Sequence, residues 1–111
     1  MVAVELVYIV DVYEQGNDEG GEAWTLTRHI ELPCAPVPRL VITFDDEVEA
    51  IDEVFVDHVA WEVKDQQYVA TVHANPRLPS LHSDSISDIG TTFDDMVRAI
   101  ESQGWSVVDR L

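Results

Sequence analysis

An α+β fold is predicted by a single change of period along the chain. Up to about residue 75 apolar residues alternate, the signature of half-buried strands; beyond about residue 92 they recur at helical spacing. The expected architecture is a small antiparallel β-sheet or partly closed barrel of about five to six strands, with one C-terminal amphipathic helix. The chain has 111 residues, 46% of them hydrophobic, enough for one modest core. A single domain over residues 1–111 is therefore expected: strand-rich 1–75, a linker at 76–90, a helix at about 92–103 and a short terminal strand at 105–109.

Residues 2–13 put Val2, Val4, Leu6, Tyr8, Val10 and Val12 on one face of a first strand. The other face carries Ala3, Glu5, Val7, Ile9, Asp11 and Tyr13, apolar enough to predict partial cover on both sides. The stretch 14–22 (EQGNDEGGE) is an acidic, turn-rich loop. Residues 23–32 alternate again, with Trp24, Leu26, Ile30 and Leu32 in phase and Thr25, Thr27, His29 and Glu31 opposite, which completes a long hairpin. Pro33, Pro36 and Pro38 end it, because proline cannot donate to a ladder.

A short strand restarts over 39–44, and the acidic run 45–53 reads as a loop or frayed strand end. Residues 54–63 form the next strand, with Phe55, Val59, Trp61 and Val63 assigned to one face. Lys64-Asp65-Gln66-Gln67 connects it tightly to a strand at 68–73, giving a second hairpin. The Pro/Ser/Asp-rich stretch 75–88 has no period. Phe93, Met96, Val97 and Ile100 then fall on one helix face. Thr91 or Thr92 serves as N-cap, Asp94 and Asp95 suit the positive helix start, and Gly104 suits a left-handed stop with Trp105 packing back on Ile100.

The charge is lopsided: 22 carboxylates against 6 basic side chains, a formal −16. Charge of this size speaks of partners and solvent rather than of fold. Five arginines and Lys64 cannot line a nucleic-acid groove, so direct nucleic-acid binding is disfavoured. Phosphate-binding glycine loops are missing too.

The motifs for chemistry are weak. Of His29, His58, His73 and His82, three fall on predicted strands, and His58 and His73 become cross-strand neighbours in the second hairpin. Zinc needs three or four converging ligands, and the spacings that usually supply them do not occur, so neither a metal nor a cofactor is expected. The acidic run lacks the spacing and glycine of a calcium loop. Asp57 interrupts an apolar phase; a β-bulge or edge position returning it to water is the expected explanation. Cys34, set between prolines, lacks the base and pocket of a nucleophile, and no catalytic residue is assigned. The two P-x-x-P matches, at 33–36 and 76–79, read as restricted loops rather than docking motifs.

What remains is a small acidic non-enzymatic binding protein, of the inhibitor or immunity type, that covers a basic surface of a nucleic-acid-handling enzyme or toxin. Its candidate partner-binding residues are Asp45, Asp46, Glu47, Glu49, Asp52, Glu53 and Asp57, with Asp18, Glu19 and Glu22 from the loop and Trp24 and Trp61 as anchors. Alternate strand positions lie roughly 6.7 Å apart, against about 3.4 Å between phosphates of a DNA strand, and Asp46 and Asp52 break phase. Acidic-surface recognition is thus expected rather than phosphate mimicry. The alternative is a halophile-type acidic-surface domain of housekeeping role; a small metal-dependent enzyme ranks third. A basic protein surface is the expected partner, with no nucleic acid and no membrane, and a homodimer through the uncovered sheet face is also open. The lone Cys34, and an apolar start interrupted by Glu5 without basic residues before it, suggest a cytoplasmic protein.

Overall fold

Strict alternation organises the central strand. β1 (Val2–Val12) buries Val4, Leu6, Tyr8, Val10 and Val12 completely or nearly so, while Ala3 and Ile9, in the opposite phase, are exposed. Each such side chain contributes roughly 1.5–3 kcal/mol when fully buried. The computed structural model describes residues 1–12, 21–44, 53–73, 84–86 and 92–110.

β2 (Glu22–Leu32) pairs antiparallel with the whole of β1, from Val2 opposite Leu32 to Val12 opposite Glu22. This is the long hairpin the alternation predicts. β3 (Val41–Thr43), β4 (Glu53–Glu62) and β5 (Gln67–His73) form an antiparallel meander. β6 (Asp84–Ile86), helix α1 (Phe93–Ser102) and β7 (Ser106–Arg110) complete the chain.

All seven described strands join one sheet. Six follow the order β3-β4-β5-β1-β2-β7, and β6 pairs with β1 off that row. The α+β class and the C-terminal helix are as expected, but two details differ. The sheet is mixed, since β1 runs parallel to both β5 and β6, and it is open, with β3 and β7 at opposite edges. The cause is the connection 33–40. It carries the chain from the β2 side to the far edge, where four inter-strand spacings amount to roughly 19 Å and eight extended residues reach about 26 Å. The meander then returns toward β1 and meets it in parallel. β6 falls inside the predicted linker, because three residues are too few to show a period.

Pro36 is buried and Leu40 packs on the core, so the connection helps to close one face of the sheet. It is tied to β4 by the Arg39 N–H donating to the Val56 carbonyl (2.7 Å) and the Val56 N–H donating to the Leu40 carbonyl (2.8 Å). α1 covers the same face with Met96 and Ile100. Trp105, just after it, packs edge-on against Tyr8 and Phe44, and Trp24 meets Phe93. No helix among the described residues is long and apolar enough to cross a membrane.

The helix ends follow the sequence signals. The Thr92 hydroxyl accepts from the Asp95 N–H at 3.2 Å, and Asp95 pairs with Arg98 one turn on. Gly104 has φ +90°, and its N–H donates to the Glu101 carbonyl at 3.1 Å. An added Cβ there meets only the Arg28 side chain at ordinary contact, 3.5 Å. Gly104→Ala should therefore cost the backbone penalty alone, about 1 kcal/mol, without a clash; a fall in the urea midpoint at unchanged slope would check this.

Candidate binding face

The register assigns every strand residue to one of two faces. Residues directly opposite on antiparallel strands share a face, and successive residues alternate. Glu5 and Asp11 of β1, Glu31 and His29 of β2, and Asp109 of β7 therefore project away from α1. So do Glu53, His58 and Glu62 of β4 and Thr71 and His73 of β5. Among the described residues this open face is covered only in part: Ile9 is 52% exposed, and Val7 and Val69 are half-buried.

Asp57 sits where the β4–β5 register shifts between Val56 and His58, and it is exposed. The bulge expected from its position in an apolar run is thus present. It also corrects the face assignment for β4. Val54 and Val56 enter the core; Phe55 turns to the open face, and Val59 and Trp61, beyond the bulge, return to the core side. A one-residue insertion flips every later side chain, which simple alternation cannot anticipate.

The bulge gathers a polar cluster. Asp57 Oδ2 lies 3.1 Å from His58 Nδ1 and 3.8 Å from His73 Nε2, and His58 Nε2 is 3.2 Å from the Thr71 hydroxyl. The His73 ring packs against Phe55 at 5.6 Å. The expected proximity of His58 and His73 arises through this shared carboxylate. On β1, Glu5 Oε2 accepts from Gln67 Nε2 at 3.1 Å and lies 3.9 Å from His29 Nε2. Among the described residues no group of three or more His, Cys, Asp or Glu side chains is arranged to hold a metal ion.

The described basic residues all lie elsewhere. Arg28 stacks on Phe44 at 4.4 Å on the core side, Arg110 on Trp24 at 4.9 Å, Arg98 is on α1, Arg39 in the connection and Lys64 in the β4–β5 turn. Carboxylates consequently crowd one another at the end of β4. Asp65, through a hydrogen bond, holds the Glu62 carboxyl above its ordinary range, with burial, Asp65's charge and Glu5 pushing the same way and Lys64 in the turn opposing them. A raised value in the fold means that Glu62 disfavours the native state as pH rises through that range. Glu62→Gln should therefore raise the melting temperature slightly at neutral pH and leave it unchanged near pH 3.5, where both forms are uncharged.

The sequence-derived candidates divide three ways. Asp18, Glu19, Asp45, Asp46, Glu47, Glu49 and Asp52 lie outside the described residues. Glu53 and Asp57 stand on the open face. Glu22 and Trp24 form an internal cluster instead: Glu22 Oε1 accepts from the Trp24 indole N–H (2.8 Å) and pairs with Arg110 (2.8 Å). These two contacts, the indole first, hold the Glu22 carboxyl below its ordinary value.

Trp24 is wholly buried, which corrects its assignment as a surface anchor; being in phase with Leu26, it belongs to the core. Trp61 is 52% exposed, edge-on to Tyr68 at 4.8 Å, and can reach a partner, but from the core side of the sheet. The face residues not singled out beforehand are Glu5, Asp11, His29, Glu31, Glu62 and Asp109. Their common signal was phase: each alternates with a core residue or pairs with one that does. The chain matches no protein-family model, and searches of curated proteins and of solved structures give no match either.

Proposed function

We propose that the protein is a non-enzymatic binder that covers a basic protein surface with the open face of its sheet, in the manner of an inhibitor or immunity protein. The observation that carries this reading is the segregation of charge. Glu5, Asp11, Glu31, Glu53, Asp57, Glu62 and Asp109 share a face on which no described Arg or Lys stands. Around them Ile9, Val7, Val69 and Phe55 offer apolar surface. Steering carboxylates around an apolar centre suit fast docking followed by tight contact. A second copy is a poor occupant, because pairing two such faces would oppose carboxylate to carboxylate. A nucleic-acid-handling enzyme or toxin presents the required basic surface.

A salt-adapted acidic coat is the second reading, favoured by exposed Asp94 and Glu101 on α1, away from the open face. Melting the protein at low salt and in molar KCl separates the two. A binder should stay folded at low salt and bind a basic protein in a salt-sensitive way; a fold that requires molar salt and ignores basic partners would refute the binding reading.

A further inference from the structure

We infer that the open face is proton-gated, with His29, His58 and His73 placed among its carboxylates so that acidification turns them into internal cations and releases the basic partner. The inference rests on the docking reading above and adds its regulation. Lys and Arg being absent from this face among the described residues, its imidazoles are the described groups there that can turn positive.

Each of the three has a carboxylate within 4 Å: Asp57 for His58 and His73, Glu5 for His29. His58 faces Asp57 on its own strand and Thr71 and His73 on β5; Thr43 of β3 and Glu53 lie further along the face. His73 faces the same Asp57 oxygen and packs on Phe55. His29 faces Glu5 on β1, which also holds Gln67, and shares its strand face with Glu31.

Neutral imidazoles leave Asp57 and Glu5 available to cations on a partner. Imidazole is the side chain that ordinarily changes charge between pH 5 and 8. Once protonated, His58 and His73 both direct N–H donors at Asp57, and His29 directs one at Glu5. The partner then meets compensated carboxylates and three added positive charges. Across a water-filled interface, each should weaken binding about two- to threefold, or about tenfold together.

The test uses a fluorescent oligo-arginine peptide and the full chain, at constant ionic strength, at pH 7.5 and 5.5. The peptide keeps its charge over this range. Wild type should bind about tenfold more weakly at pH 5.5, and the His29→Gln/His58→Gln/His73→Gln variant should lose no more than about twofold. His29 and His58 are well exposed, at 69% and 67% of their side chains, so His29→Gln/His58→Gln keeps the test valid if the triple variant unfolds; it should show an intermediate loss. Wild-type binding that ignores pH, or variants that lose as much as wild type, would overturn the gate while leaving the docking face intact. Absence of binding at both pH values would overturn both.

Discussion

Trp105→Ala is expected to remove about 3–5 kcal/mol of stability, the usual cost of deleting a large buried aromatic. Trp105 is 2% exposed and sits where α1 returns to the sheet, edge-on to Tyr8 at 6.0 Å and to Phe44 at 5.8 Å. Alanine leaves a cavity between β1, the end of β3 and the helix stop, and forfeits both ring contacts. Since small domains hold only about 5–15 kcal/mol in total, the variant should be barely folded. Trp105→Phe should be much milder. The Trp105 indole N–H is buried without a hydrogen-bond partner among the described residues, so phenylalanine removes an unsatisfied donor while keeping most of the ring volume. Urea unfolding of the two variants would check the ordering; equal losses would mean that the ring contacts are not what holds the helix stop.

Ile9→Arg is the corresponding test of the face. Ile9 lies between Glu5 and Asp11 on the outward side of β1, half exposed, so an arginine enters without disturbing the core. Stability should change by about 0.5 kcal/mol or less. Affinity for a basic partner or oligo-arginine should fall at least about tenfold, because a guanidinium replaces the apolar centre and neutralises its neighbours. Val37→Arg, at an exposed position of the 33–40 connection, adds the same charge off the face and should change binding less than about twofold. Equal effects from the two substitutions would show that only total charge matters.

The physical reasons for what the sequence revealed differ from element to element. The β1–β2 hairpin was legible because eleven residues of alternation on each side leave one register that buries Val4, Leu6, Trp24 and Leu26 together. The helix was legible at both ends, through Thr92 and Gly104. The parallel pairing of β1 with β5 was not, because it depends on where the 33–40 connection delivers the chain, a long-range matter that local pattern does not encode. The candidate face was half legible. Asp57 announced its bulge by standing in an apolar run, but the consequence, that Phe55 and Val59 part company, requires the register of β5. Counting acids drew attention to the dense run at 45–53. The isolated acids Glu5, Asp11 and Glu31 on β1 and β2 were harder to see, because each stands alone between two apolar residues.

Basic partners are proposed to dock on the open face rather than on the acidic surface at large. Amide and imidazole NMR shifts during titration with oligo-arginine test it most directly. Docking on the face predicts that Glu5, Ile9, His29, Asp57 and His58 move together and saturate, while Asp94 and Glu101 of α1 stay still. Shifts spread evenly over both sides of the sheet, or confined to the helix, would contradict it.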